Sequence, residues 1–190
     1  MARRKPVSFE PKIIKANVFK DSRGYFSEIL KDYGFAQINM SWSLGGTFRG
    51  IHAQRLMDKA MWIASGKAIV YAVNLDPTSI LYGKVISETM EAGDGKVFFA
   101  PWWWGRGFLA LEDTTVTYAT TDVYRPEHET GISYIGLADI EKDLERVKAQ
   151  LLVSDKDKAA PSIKTEGTSE NLSNWKRAGD DILRDRSEDQ

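Results

Sequence analysis

The run Arg49-Gly50-Ile51-His52 puts one of the chain's two histidines beside an arginine, with Gln54, Arg55 and Lys59 close behind. Histidine is the side chain best suited to move protons near neutral pH. Cations around it would hold an anionic substrate and any negative charge that develops on it during reaction. An isolated histidine is more often a core residue bonded to a backbone carbonyl. The same-face neighbours of His52 at two-residue spacing are Gly50 and Gln54, a polar and roomy face rather than a packed one. A catalytic base also needs an acceptor on its second ring nitrogen, usually a carboxylate. Several acids qualify, and spacing does not choose among them.

Two further groups bear chemistry. Tyr118 lies in Val116-Thr117-Tyr118-Ala119-Thr120-Thr121-Asp122-Val123-Tyr124, and a regular strand would put Tyr124 on the same face. The pair reads either as core tyrosines with bonded hydroxyls or as a proton donor with a platform for a base. Arg106 sits between Gly105 and Gly107, which let the backbone come close, so an anion-binding role is expected of it. The tryptophans before it, Trp102-Trp103-Trp104, cannot all face one core, so at least one should be exposed or at an interface. A metal centre is not expected: His128 falls in the loop composition Arg125-Pro126-Glu127-His128-Glu129, and one strand histidine is too few for a transition-metal site.

Short β-strands must position these groups. Ile13, Ile14 and Val18-Phe19 precede the turn Asp21-Ser22-Arg23-Gly24, and Tyr25 to Leu30 follows. Further strands are expected over residues 37–43, 47–54, 60–65, 67–75, 81–90, 96–100, 108–111 and 114–124, most of them separated by Gly, Asp or Pro turn signals. Many short strands with no helical run among them predict an all-β sandwich or barrel. Helical period appears only late, where Ile140, Leu144, Val147 and Leu151 share one face over residues 140–151. The expected organisation is one domain over residues 1–161 and a polar tail over residues 162–190, mobile or packed on a partner subunit, with a weak helical patch around Trp175, Ile182 and Leu183.

Composition bounds the function. At 190 residues with 42% hydrophobic and 28% charged residues, the chain reads as an ordinary soluble domain. A formal net charge of −1 offers neither a nucleic-acid surface nor a polybasic membrane patch. The absence of cysteine excludes disulfides, thiolate metal sites and cysteine nucleophiles. Met1 to Pro6 is basic but lacks a following apolar core, so it does not read as a signal peptide, and no run would cross a bilayer. A soluble cytoplasmic protein is the expectation.

The ordered motifs resemble the dTDP-4-dehydrorhamnose 3,5-epimerase family over roughly residues 7 to 161. Phe19 to Glu28 looks like the opening segment, in which the resemblance implies that Arg23 and Glu28 contact the nucleotide. Gln37-Ile38-Asn39 looks like the segment that follows the substrate, and Arg49-Gly50-Ile51-His52-Ala53-Gln54 is similar to the catalytic strand. Lys59 matches a lysine beside the keto sugar, Tyr118 the proton donor, and Tyr124 the tyrosine that stacks on thymine. Glu129 matches a substrate-binding glutamate. Ser154 to Pro161 is similar to a late motif in which Asp157 would pair with His52 and Lys156 would lie near the nucleotide. The resemblance implies a cupin-type jelly roll with short C-terminal helices, usually a homodimer, acting without cofactor or metal in dTDP-rhamnose or related deoxysugar biosynthesis. It also implies enolate chemistry. The base removes a proton α to a C4 ketone at C3 or C5, Lys59 and Arg49 stabilise the oxyanion, and Tyr118 returns a proton on the opposite face. Arg106 is expected to help anchor the nucleotide part.

The chain departs from the family pattern in three places. Arg106 stands where the family usually has a histidine, the spacing from His52 to Lys59 is shorter, and Tyr134-Ile135-Gly136 replaces a Trp-Asn-Asp run. The alternatives are an epimerase of a single centre, a ketoisomerase of a nucleotide sugar, and a non-catalytic sugar-nucleotide binder.

Overall fold

The computed structural model describes residues 10–31 and 33–188. The basic N-terminal stretch lies outside these. The strands are β1 (Lys12–Lys15), β2 (Asn17–Asp21), β3 (Gly24–Glu28), β4 (Gln37–Ser43), β5 (Thr47–Gln54), β6 (Lys59–Ser65), β7 (Lys67–Asn74), β8 (Val85–Glu91), β9 (Lys96–Ala100), β10 (Trp104–Ala110), β11 (Thr114–Thr120), β12 (Glu129–Gly131) and β13 (Leu152–Val153). The helices are α1 (Ala138–Glu145), α2 (Asp155–Ala159) and α3 (Thr168–Glu188). One sheet runs β1-β9-β6-β11-β4; a second runs β12-β5-β10-β7-β8, with β13 parallel to β5; β2 and β3 form a separate hairpin. The architecture is the cupin-type jelly roll.

Alternation along the strands sorts side chains into three layers. Met61 and Ile63 of β6, Val70 and Ala72 of β7, Phe98 of β9, Trp104 and Phe108 of β10 and Val116 of β11 fill the apolar end between the sheets. The alternate residues Ile69, Tyr71, Val73 and Leu109 face the other side of the second sheet, where Ile140 and Leu144 of α1 and Leu172 of α3 cover them. Outside the first sheet, Ile29, Leu30 and Phe35 pack on Ala60, Phe99 and Trp62. The remaining end of the interior is lined by polar side chains at the same inward positions, and a cavity opens there.

A bulge in β5 shapes that end. Opposite β10, Arg106 pairs with His52 and Phe108 with Arg49, so Gly50 and Ile51 together face Gly107. Strict alternation would send Arg49 and His52 to opposite faces; the extra residue turns both inward while Phe48 and Ile51 stay in the helix-covered core. Gly50 has φ of +123°, and a Cβ on it would lie 2.7 Å from Gly107 Cα and 2.8 Å from the Arg106 carbonyl oxygen. Only glycine fits there.

Several elements differ from the sequence expectation. The helix expected over residues 140–151 ends at Glu145, followed by a 3₁₀ turn at Lys148–Gln150, although Val147 and Leu151 still pack on the core. The strand expected from residue 81 starts at Val85, and β11 ends at Thr120, so Tyr124 lies in a loop and not on a shared strand face with Tyr118. The described part of the expected tail, residues 162–188, includes a long helix. This helix, α3, docks on the domain itself, burying Leu172, a contact worth roughly 1.5–3 kcal/mol for a fully buried leucine. It also covers Trp102, whose ring meets Trp175 at 5.3 Å and Gly179. Trp102 is thus buried under α3, Trp104 is buried between the sheets, and Trp103 is half-buried.

Candidate active site

Two overlapping lobes of about 320 and 280 Å³ form the cavity, and His52, Lys59, Arg106 and Tyr118 line both. His52 and Arg106 come from the second sheet, Lys59 and Tyr118 from the first. The two sheets thus present different groups across one space. Gln37, Asn39, Tyr124 and Glu129 add to the first lobe, and Arg49, Lys156 and Asp157 to the second.

His52 is clamped by Asp157: Nε2 lies 2.8 Å from Asp157 Oδ1. The aspartate is buried, and its second oxygen accepts the Gly50 N–H at 3.2 Å. Its own N–H donates to Ser154 Oγ at 3.1 Å, where Ser154 caps α2. Burial alone would raise the Asp157 pKa, but the bonds from His52, Gly50 and Ser154 together hold it below the usual carboxylate value. An ionised Asp157 accepts the Nε2 proton, which leaves the lone pair of the neutral ring on Nδ1. That nitrogen is the base position, and it lies 4.0 Å from Glu129 Oε1.

Glu129 organises the mouth. Its Oε2 accepts from Tyr124 Oη and from Lys156 Nζ, each at 3.0 Å. Burial pushes its pKa up, but these two bonds, with the nearby charge of Lys156, together bring it below the ordinary carboxylate value. Gln37 links the loop to β4: its Oε1 accepts the Tyr124 N–H at 3.0 Å, and its Nε2 donates to Asn39 Oδ1 at 2.7 Å.

Lys59 carries its ammonium 4.5 Å from the centre of the Tyr118 ring. Burial, then the charge of Arg106, lowers its pKa to about 7, against a smaller opposing effect of Glu129. Burial raises the Tyr118 hydroxyl, partly offset by Arg49, so the phenol keeps its proton at neutral pH and stands as a donor. Arg49 donates from Nε to Ser43 Oγ at 3.0 Å.

The guanidinium of Arg106 differs from the anion clamp expected of it. The residue is 4% exposed. Nη1 donates to the carbonyls of Trp104 (2.7 Å) and Trp102 (3.0 Å), and Nη2 to that of Met57 (3.1 Å). With both arms bonded to backbone carbonyls, it has fewer N–H groups to offer a diphosphate than a free guanidinium would. Nε alone has no partner. Burial lowers its pKa to about 10, opposed by Asp58, so it stays a fixed cation beside His52 and Lys59 at neutral pH.

Arg23 and Glu28 are not brought to the cavity. Arg23 is exposed and bonds Asp21 at 2.6 Å. Glu28 borders a separate hollow with Leu30, Phe35 and Trp62. Both sit on the β2–β3 hairpin, which pairs with neither of the two sheets. Several lining residues were given no role from the sequence, among them Ser41, Met57, Met61, Thr120 and Ser154. Ser154 was findable, because Ser-x-x-Asp before a helix marks an N-terminal cap. Among the described residues no group of three or more His, Asp or Glu side chains converges in a way that could hold a metal ion, and no helix is long and apolar enough to cross a membrane.

The family model for dTDP-4-dehydrorhamnose 3,5-epimerase matches residues 10–165. The enzyme of that name from Methanothermobacter thermautotrophicus is 35% identical over 162 residues, covering 77% of this chain and 85% of the relative. The one from Sinorhizobium fredii is 32% identical over 168 residues, covering 81% and 85%. The crystal structure of dTDP-4-dehydrorhamnose 3,5-epimerase from Sulfolobus tokodaii superposes with a TM-score of 0.71 at 29% identity, over 85% of this chain and 94% of that one. The epimerase from Legionella pneumophila in complex with dTDP-4-keto-L-rhamnose gives 0.74 at 26% identity, over 89% and 95%. The chain belongs to the dTDP-4-dehydrorhamnose 3,5-epimerase family.

Proposed function

We propose that this isomerase inverts C3 and C5 of a dTDP-linked 4-keto-6-deoxyhexose through an enolate. The observation that carries the reading is the placement of base and acid. His52, paired with Asp157 of α2, stands on one sheet and Tyr118 on the other, and both line one cavity. Inversion needs a proton removed from one face of a carbon and returned to the opposite face, and this arrangement supplies both. His52 Nδ1 takes the hydrogen α to the ketone. The Lys59 ammonium and Arg49 face the oxyanion, with Arg106 as a fixed charge behind them. Tyr118 donates to the other face of the carbon. Glu129, Lys156, Tyr124, Gln37 and Asn39 bind and orient the nucleotide-linked sugar.

The test is NMR of dTDP-4-keto-6-deoxyglucose in heavy water. Deuterium is expected at both C3 and C5. Label at one centre alone points to the single-centre epimerase, migration of the carbonyl to a ketoisomerase, and binding without exchange to a binder. Tyr118→Phe is expected to keep exchange at the abstracted position while inverted product falls about 10²-fold, within the range for a lost acid–base group. Equal loss of exchange and inversion removes Tyr118 from the donor role.

The protein is further proposed to act as a homodimer. The outward face of β4 exposes Ile38 (69%), Met40 (74%) and Trp42 (59%), and Phe19, Tyr25 and Phe26 are exposed on the hairpin. Exposed apolar rows of this kind on an edge strand call for cover. A dimer would also give Arg23 and Glu28, outside their own cavity, a route to the partner's. Sedimentation should give twice the 21.4 kDa chain mass; a monomer at micromolar concentration rejects the dimer.

A further inference from the structure

Helix α3 lies beyond the residues matched by the family model, which end at 165. It nevertheless touches the supports of the catalytic cavity at two places. Trp175 donates its indole N–H to the carbonyl oxygen of His128 at 2.8 Å. The same oxygen accepts the Arg55 N–H at 3.1 Å, so the end of β5 and helix α3 hold one peptide between them. The next residue is Glu129, whose carboxylate meets Tyr124, Lys156 and the base nitrogen of His52. Trp175 also packs against Trp102, with ring centres 5.3 Å apart and the planes tilted by 57°. The Trp102 N–H donates to Asp58 Oδ1 at 3.0 Å and its carbonyl accepts from Arg106, so this second contact leads to the two residues flanking the Lys59 side of the cavity.

We propose that Trp175 is a positioning residue, by which α3 fixes the loop before Glu129 and so sets the affinity of the cavity for its nucleotide-linked substrate. This rests on the site as read above. Glu129 makes its contacts through a short strand of three residues, Glu129–Gly131, preceded by the 3₁₀ turn Pro126–His128. Such a segment has little rigidity of its own, and the backbone carbonyl before Glu129 is where a clamp has most leverage over its side chain. Lys176 steadies the helix at this point, with Nζ 5.1 Å from the Trp102 ring centre and 2.7 Å from Asp180.

The test uses Trp175→Phe, which keeps an aromatic ring on Trp102 and removes the N–H donor. In the ligand-free protein, hydrogen exchange of peptides spanning residues 124–131 should quicken, with the sheet strands unchanged. KM for the dTDP-linked keto sugar should rise about fivefold, the size expected for one neutral hydrogen bond, with kcat within twofold. Glu129→Gln should raise KM as well, and the double variant should be no worse than the poorer single, because both act through one carboxylate. Unchanged exchange over 124–131 overturns the proposal. So does quickened exchange with unchanged KM, or a double variant whose losses simply multiply. The exchange measurement needs no turnover, so an unsubstituted protein that fails to epimerise would overturn the reading of the site and leave the brace to be decided by exchange alone.

Discussion

Replacing His52 with alanine lowers kcat for epimerisation about a thousandfold, the middle of the range for a lost general base, while affinity for dTDP stays within a few-fold. The split follows from where the imidazole stands. Its Nε2 is committed to Asp157, so the ring contributes through Nδ1, at the centre of the cavity. The groups around the mouth, Tyr124, Glu129 and Lys156, bond one another and not the ring, apart from the 4.0 Å approach of Glu129. Removing His52 therefore leaves the nucleotide end intact. Asp157 keeps the Gly50 and Ser154 bonds. Steady-state kinetics, heavy-water exchange and dTDP calorimetry together check this. An alanine variant that exchanges C–H at the unsubstituted rate ends the mechanism.

The second large effect is at Lys59. With its pKa lowered to about 7, the ammonium that meets the oxyanion exists in the free enzyme below that pH and is lost above it. The profile of kcat/KM should fall tenfold per pH unit on the alkaline side of about 7. The substrate's diphosphate and the developing oxyanion favour the charged amine, so the limb in kcat lies at higher pH than the limb in kcat/KM. Lys59→Met should remove the limb and lower kcat about 10²-fold, as expected when one donor to an oxyanion is lost. A wild-type profile flat from pH 6 to 9, at about the range normally scanned for such limbs, counts against this role. Stability moves the other way. Lys59 titrates at 10.5 in an unfolded chain and near 7 in the fold, so the unfolded state binds more protons between those values and stability rises with pH there. Activity falling while the protein grows more stable is a signature that general alkaline unfolding cannot imitate.

Much of the frame was legible in the chain. Turn residues between short alternating strands pointed to a β sandwich, and the period of Ile140 and Leu144 to α1. The inward identities of Lys59, Arg106 and Tyr118 follow from alternation once each strand is placed. What the residues alone left open was anything that depends on a break in the pattern. Arg49 and His52 share the cavity because β5 carries an extra residue opposite Gly107, and no local signal in Arg49-Gly50-Ile51-His52 states that. Tyr124 reached the cavity through a loop, not along a strand. Arg106 was read by its charge, but its burial among carbonyls is a long-range matter of where Met57, Trp102 and Trp104 lie. The length of α3 was missed because its polar residues outnumber its apolar ones. Leu172 and Trp175 are few, and what they pack on is distant in sequence.

The pairing of His52 with Asp157 spans 105 positions. Closing a loop of that length costs on the order of 4 kcal/mol of chain entropy. The rest of the fold must offset that cost before the two side chains meet. During synthesis β5 is complete long before α2 leaves the ribosome, so a nascent or truncated chain carries its imidazole without the carboxylate that sets its tautomer. Chemical competence therefore arrives as one of the last events in maturation, and partly built copies are inert toward metabolites that they can already encounter.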